Sequence, residues 1–432
     1  MRSGRVFWDL LGIGIGPFNL SLAALLEPVE EVEALFVEKK PRFEWHPGLL
    51  MEGTTLQVPF LADLVTMADP TSPHSFLNYL RERGRLYNFY FLERFQVPRR
   101  EYEHYCRWVS ERLESCRFGE EVEGIRHAGD HFEVWARVAA DGSRRLYRAR
   151  NLALGVGTVP QVPPCFEGRL GEDAFHSADY LPNRERCLRA ESVTVVGSGQ
   201  SAAEVFYDLL CAQAEHGYRL DWLTRSKGFF PMEYSKLGLE HFSPEYIRYF
   251  HGLPQKKRDE VRSRQDLLYK GIDTETIAAI YDLLYERSVA GENPEVRLMA
   301  LAEVGEAERT ERGWRLHCRQ TEQDRYFAHE TEVVVLATGY AYRVPGFLEG
   351  IRDLIRWDGR GRYVVRLDYR LEKTAEVPNE IFVQNGEIHT HGVGAPDLGL
   401  GAHRAAVITN RLAGRAVYPV REKNVFQQFG VA

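Results

Sequence analysis

No two of the six cysteines form a C-x-x-C pair: Cys106, Cys116, Cys165, Cys187, Cys211 and Cys318 stand apart. That argues against a disulfide framework, a zinc site and a redox cysteine pair, so the expectation is a reduced, cytoplasmic chain. No run of 18 apolar residues occurs, so no membrane span is expected. An excess of positive charge is also missing. Lys and Arg total 55 against 62 Asp and Glu, a net charge of −7 with His neutral. No nucleic-acid partner is expected on that basis. Low-complexity linkers and repeats of solenoid period are lacking too.

What is present is ordinary globular composition, 44% hydrophobic and 27% charged over 432 residues. That length suffices for two or three domains and a sizeable core. Residues 1–26 place basic residues before an apolar run and so imitate a targeting segment. Asp9 interrupts the run, and glycines sit where a strand-to-helix turn wants them. The stretch reads as the first folded element.

Two segments share one pattern. Phe7–Leu11 is an apolar strand that leads through Gly12, Gly14, Gly16 and Pro17 into a helical pattern over Asn19–Leu26. Ser192–Val196 leads through Gly197, Gly199, Gln200, Ser201 and Ala202 into a helix over Ala203–Leu210. Near-continuous apolar runs of this length read as buried parallel strands. Each unit returns to a strand with a charged end: Ala34–Val37 reaches Glu38, and Leu220–Leu223 leads to Arg225. This is the strand–turn–helix–strand unit of nucleotide-binding folds, present twice. Between them, Phe132–Val138 and Arg145–Leu154 alternate as strands around a turn at 140–143. Gly155–Pro160 and the strand Val333–Leu336 mark the crossings between domains. The expected fold is α/β, with two Rossmann-like dinucleotide-binding domains and a smaller, mostly helical substrate subdomain. The first domain takes residues 1–185. The second takes 186–330, with a helical insertion around 227–300, and residues 331–432 return to the first.

A backbone turn approaches a pyrophosphate only where side chains are missing, and the helix N-terminus beyond it supplies N–H donors. Gly12, Gly14 and Gly16 suit the first turn. Pro17 replaces the third glycine of the strict G-x-G-x-x-G pattern, which a first helical turn tolerates. Glu38, 26 residues beyond Gly12, is placed to accept hydrogen bonds from ribose hydroxyls. The second unit ends instead in Thr224, Arg225, Ser226 and Lys227. A carboxylate there would favour NAD; the cations favour the 2′-phosphate of NADP. FAD is expected at the first turn and NADPH at the second, held by Gly197, Gly199, Gln200, Ser201, Arg225, Ser226 and Lys227. Two dinucleotide sites in one chain imply electron passage between them.

Several segments, in order, resemble the flavin-dependent N-hydroxylating monooxygenases of siderophore biosynthesis, which act on lysine, ornithine or aliphatic diamines. The first turn through Asn19 and Leu20 resembles the family's FAD turn. Trp45–Gly48, Leu56–Leu61 and Asp69–Pro73 resemble its flavin-side segments. Arg99–Tyr102 and Tyr105–Trp108 resemble a further block, and Gly197–Glu204 its NADPH turn. Leu336–Tyr340 with Pro345 is similar to the family's ATGY signature, although Glu332 stands where Asp is more usual. Thr390–Gly392 is similar to its C-terminal flavin and substrate loop. The resemblance implies that Trp45, His46 and Gln57 lie against the flavin at the catalytic centre. It implies that Asn19, Thr338, Gly339, Tyr340 and His391 serve the cofactors. Read alone, Trp45 is a core aromatic, Gln57 a capped loop residue and His391 a loop histidine.

The implied chemistry is reduction of FAD by NADPH, formation of a hydroperoxyflavin with O2, and transfer of its distal oxygen to a neutral primary amine. N-hydroxyamine, water and NADP⁺ result. The amine must lose a proton against a reference pKa of about 10.4, which a desolvated pocket lowers. In lysine and ornithine members, a lysine standing where Ala62 stands here pairs with the α-carboxylate. Two further carboxylate-side positions fall at Leu239 and Leu268. The resemblance therefore implies a diamine, cadaverine or putrescine. The remote ammonium of such a substrate wants an acceptor, and Asp397, next to Leu398, is the candidate for it. L-lysine or L-ornithine is the alternative substrate. A homo-oligomer is also implied. A flavin disulfide reductase needs a cysteine pair that is missing here. A Baeyer–Villiger relative needs F-x-G-x-x-x-H-x-x-x-W between the turns, and after Phe166 and Gly168 the next histidine, His176, is misplaced. Intact FAD segments argue against a non-catalytic NADP sensor.

Overall fold

The computed structural model describes residues 7–291 and 294–431. Arg2 and Arg5, which head the N-terminal run, lie outside the described residues. Phe7–Ile13 sits inside a seven-stranded sheet, parallel to Ala34–Glu38 on one side and Arg144–Leu154 on the other. A central parallel strand is covered on both faces, which explains its apolar run. Cys116–Phe118 closes one edge. Arg144–Leu154 is long enough to take two partners on its far side. Phe132–Val138 runs antiparallel to its first half, and Ile381–Val383 parallel to its last three residues. Glu120–His127 ends the antiparallel portion. The helix after the first turn begins at Pro17, and all ten residues of Pro17–Leu26 are buried. Gly401–Ala413 packs along it.

A second sheet has five parallel strands, in the order Ala174–His176, Val333–Leu336, Ser192–Val196, Arg219–Leu223 and Val296–Met299. It begins ahead of residue 186 and ends beyond residue 330, so the expected boundaries move outward to the crossing itself. There Val159–Pro160 pairs antiparallel with Tyr340–Ala341. The three residues of Ala174–His176 are too few to show a period. Ala302–Thr310, Gly313–Gln320 and Arg325–Thr331 form a separate antiparallel sheet. Its Trp314 and Leu316 share a core with Phe166 and Leu223.

The span 227–300 is mostly helical and divides in two. Thr274–Arg287 packs into the second-domain core through Ile277, Ile280, Leu283 and Leu284, and Val296–Met299 belongs to that domain's sheet. Lys236–Leu239, Pro244–Gly252, Gln255–Ser263 and Asp266–Tyr269 form the small helical unit. Its core includes Val393 of the returning chain. Leu49 and Met51, from the first stretch of chain, belong to the second-domain core, so the two domains are packed together as well as joined. Among the described residues no helix is long and apolar enough to cross a membrane.

Candidate active site

A cavity of about 2390 Å³ lies between the two large sheets, beyond the C-terminal ends of their strands. Both glycine turns open onto it. Each feeds a helix with no side-chain N-cap: Gly16 precedes Pro17–Leu26, and Gly199 precedes Gln200–His216. Orphan N–H groups and a positive dipole end thus face the cavity at two places, which suits two pyrophosphates.

The glycines divide their roles. Gly12 does not line the cavity. A methyl there would stand 2.0 Å from the Phe36 ring, so the position serves strand packing. Gly14 does not line it either: its φ is +87°, and a methyl would meet the Gly155 carbonyl at 2.6 Å. Gly16 lines the cavity with its nearest such neighbour at 3.9 Å. Gly197, at φ +147°, brings the second turn against Ala337 O, 2.1 Å from where a methyl would be. Asn19 lies behind the first turn and does not reach the cavity. Its amide donates to the carbonyls of Ile13, Gly14 and Ala153 at 3.3, 2.8 and 3.2 Å, and its oxygen accepts from Gln384 Nε2 at 2.6 Å. It shapes the turn from the core.

Glu38 faces the cavity and accepts from Ile15 N at 2.9 Å and Lys40 N at 3.0 Å. At the second turn, Gln200 and Ser201 line the wall. The Gln200 amide is engaged: it donates to Glu204 at 3.0 Å and Thr276 at 3.2 Å and accepts from Asp273 N at 2.7 Å. Arg225 lines the cavity without an ion-pair partner among the described residues. Ser226 Oγ lies 2.8 Å from Ser198 Oγ. Lys227 is exposed outside the wall, so Arg225 alone of the two expected cations reaches the cavity.

Trp45, His46, Gln57 and Tyr340 line the same cavity. The His46 ring is edge-on to Trp45 at 4.9 Å and to Tyr340 at 5.2 Å, and Trp45 rests on Tyr102 at 5.3 Å. Burial, helped by Arg99, Lys40 and His176, pushes His46 down to about 4, so the ring is neutral at pH 7. Gln57, on Thr55–Pro59, donates to Thr55 O at 3.2 Å. Tyr340 Oη is buried with no hydrogen-bond partner among the described residues, a polar atom left for a ligand. Thr338 Oγ1 donates to Gln161 O at 2.5 Å, and Gly339 O accepts from His176 Nε2 at 3.0 Å. Both residues hold the crossing while lining the cavity.

His391 departs from expectation. It is fully buried away from the cavity, stacked on Tyr369 at 4.7 Å and edge-on to His251 at 5.2 Å. Burial holds it well below the ordinary imidazole range. Ile388 and His389 of the same short helix line the wall instead.

Ala62, Asp397 and Leu398 come together. A methyl at Gly399 would stand 2.9 Å from Asp397 Oδ1 and 3.8 Å from Ala62 Cβ. Asp397 caps the turn Leu398–Leu400, accepting from Leu400 N at 3.2 Å, and burial raises its carboxyl to about 6. It forms no ion pair among the described residues. Leu239 and Leu268 reach the cavity from the helical unit. Two buried ion pairs are not evident from sequence: Arg99 with Glu204, and Arg404 with Glu387 at 3.3 Å beneath the loop that carries Asp397. Arg99 and Glu204 do stand in the motif blocks, but a pairing across 105 residues leaves no local signal.

Two Rossmann-type domains turning uncapped helix N-termini onto one shared cavity define the class: an oxidoreductase with two dinucleotide sites. The chain belongs to the L-lysine 6-monooxygenase/L-ornithine 5-monooxygenase family, whose model matches residues 6–342. It is 48% identical over 436 residues to the rhizobactin siderophore biosynthesis protein RhbE of Rhizobium meliloti (strain 1021), covering 98% of this chain and 95% of that one. It is 43% identical over 432 residues to a putrescine N-hydroxylase of Shewanella oneidensis, covering 98% and 84%. The crystal structure of FAD-bound DfoA, the desferrioxamine-pathway cadaverine monooxygenase of Erwinia amylovora, matches with a TM-score of 0.95. Identity is 44%, and 99% of both chains is covered.

Proposed function

We propose that this chain is an FAD- and NADPH-dependent monooxygenase that N-hydroxylates a small aliphatic diamine, cadaverine or putrescine, for a hydroxamate siderophore. Bound FAD, once reduced by NADPH, supplies transfer of one atom of O2 to an amine nitrogen. The protein supplies binding, orientation and dryness. Gly16 and the first helix N-terminus receive the FAD pyrophosphate, and Glu38 accepts from its ribose. The second helix N-terminus receives NADPH, with the Arg225 guanidinium on the 2′-phosphate. Trp45, neutral His46, Gln57 and Tyr340 wall the reacting region and keep water and stray charge from it.

The observation that carries the diamine reading is Ala62 beside Asp397. An amino acid would set its α-carboxylate against Ala62, Leu239 and Leu268, with no cation from Ala62 and a carboxyl nearby. Burying it so would cost several kcal/mol. The remote ammonium of a diamine instead meets Asp397 and favours its ionised form. The names of relatives, a putrescine N-hydroxylase and a cadaverine monooxygenase, agree with this reading. Hydroxylamine formation with putrescine, cadaverine, ornithine and lysine side by side tests it. The diamines are expected to show the higher coupled kcat/KM, and ornithine or lysine exceeding both overturns the proposal. NADPH oxidation does not serve as the readout, because uncoupled turnover makes peroxide. The same reading includes a cytoplasmic location, supported by six free thiols, and self-association, which light scattering tests.

A further inference from the structure

The chain beyond helix Gly401–Ala413 is fixed in two places outside the site described above. Asn410 Oδ1 accepts from the backbone N–H groups of Val417 and Tyr418 at 2.7 and 2.9 Å. The Tyr418 hydroxyl donates to Leu25 O at 2.7 Å. This pins the chain to the first domain. Residues 424–430 then cross to the small helical unit. Glu245, in the first turn of Pro244–Gly252, accepts from the backbone of Asn424 and from Val425 N at 3.1 Å. Glu240, at the end of Lys236–Leu239, accepts from Phe426 N at 3.0 Å and Gln427 N at 2.9 Å. Gln427 Nε2 donates to Leu237 O at 2.5 Å. Each carboxylate thus receives two consecutive backbone N–H groups, a charge-assisted arrangement.

Phe429 adds an apolar anchor. Its ring meets His241 at 5.2 Å, Tyr246 at 5.0 Å and Tyr249 at 6.4 Å. It packs on a small core that also holds Phe242, Leu268, Tyr269 and Val393. Those four side chains line the cavity. The small core on which Phe429 packs thus also forms part of the cavity wall. Helices Pro244–Gly252 and Gln255–Ser263 are also held by the returning chain, through His251 on Val365 O and Arg362 on Asp259. The end at Lys236–Leu239 is more open: Leu237 is 62% exposed, Leu239 is 41% exposed, and a helix this short is not stable by itself.

We propose that residues 424–430 form a strap that holds the outer wall of the amine-binding part of the cavity, with Phe429, Glu240 and Glu245 as positioning residues for the substrate. The kinetic consequence rests on the diamine-hydroxylase reading; the structural one does not. When the strap is released, the wall carrying Leu239, Phe242 and Leu268 opens locally. The amine then binds more weakly and water enters, while NADPH binding at the second turn is unaffected.

Hydrogen exchange of residues 236–269 in the full-length protein tests the strap. Wild type is compared with Phe429→Ala, with Glu240→Gln/Glu245→Gln, and with the conservative Phe429→Leu. Phe429→Ala and the glutamine pair are expected to speed exchange there about tenfold or more, leave residues 192–223 unchanged, and raise the diamine KM about tenfold. Coupling falls, the NADPH dissociation constant holds, and Phe429→Leu restores most of the protection. Unchanged exchange over 236–269 overturns the strap. Faster exchange with unchanged diamine KM and coupling overturns its bearing on the substrate. Should Phe429→Ala also loosen 192–223, the glutamine pair decides. If the wild type hydroxylates no amine, the functional reading falls, while exchange still decides whether residues 424–430 hold this wall.

Discussion

Arg99 and Glu204 form a buried bidentate ion pair across the domain boundary, Nη1 to Oε2 at 2.8 Å and Nη2 to Oε1 at 2.7 Å. Arg99 opens the helix Arg99–Arg112, whose Tyr102 supports Trp45, and also donates to Leu49 O at 3.0 Å. Glu204 lies one turn into Gln200–His216 and accepts from Gln200. The pair thus ties the wall around Trp45 to the second glycine turn.

Removing one partner leaves a buried charge alone, at a cost of about 3–5 kcal/mol. Arg99→Met and Glu204→Met are each expected to destabilise the protein by about that amount. The double variant should lose less than the sum, because neither charge is left unpaired. A double-mutant cycle on urea unfolding checks this, and additive losses would show that the two side chains act separately.

Gly14→Ala must hold φ at +87° and press on Gly155 O, a strain of about 1–3 kcal/mol placed in the first turn. Less flavin per purified chain and faster flavin release are expected. Full occupancy with unchanged release would reject the role. Gly12→Ala should differ in kind: it overpacks the Phe36 ring and lowers the melting temperature directly.

Arg225→Ala removes one charge-assisted phosphate contact, about 1.5–3 kcal/mol. The NADPH dissociation constant should rise about ten- to a hundredfold while that of NADH changes little. Lys227→Ala should leave both nearly unchanged, since Lys227 does not reach the cavity. An equal rise for both nucleotides would remove Arg225 from the 2′-phosphate site.

Asp397 ties diamine affinity to pH. Burial raises its carboxyl from 3.8 to about 6. Between those values the folded protein keeps a proton that the unfolded chain has shed. This group's contribution to stability is therefore greatest below about pH 4 and falls as pH rises toward 6. Binding runs the other way: an ammonium prefers the carboxylate, so diamine KM should fall as pH climbs through about 6. Asp397→Asn should abolish that limb and raise KM about ten- to a hundredfold. A wild-type KM flat from pH 5 to pH 7 would discard Asp397 as the acceptor. Ala62→Lys should also weaken diamine binding, by setting a cation near the remote ammonium.

The two glycine turns are legible in the sequence because turn chemistry is local: strand, glycines and helix follow within a dozen residues. Ala62, far in the sequence from Asp397 and Leu398, lies together with them in the fold. Gly12, Asn19 and His391 show where local reading stops. A glycine in a motif is equally suited to a neighbouring strand, and only the position of Phe36 tells the two apart. Asn19 faces the core because Gln384 and Ala153 arrive behind it. In a helix as short as Ile388–His391, nothing in the residue types says that His389 faces the cavity and His391 the core. The strand Ala174–His176 is hidden by its brevity, and the Arg99–Glu204 pair by its separation.

The antiparallel pair at the crossing has a bearing on the order of assembly. Gln161 N donates to Gly339 O at 2.9 Å, so the chain enters and leaves the second domain side by side, like a guest seated inside its host. On the ribosome, every strand of the guest, from Ala174 to Leu336, emerges before Ile381–Val383, which the host sheet needs beside Arg144–Leu154. Until then Asn19 also lacks Gln384. Domains form as units during synthesis, so the inner one has its full set of strands first, and the outer one, begun earlier, closes around it last.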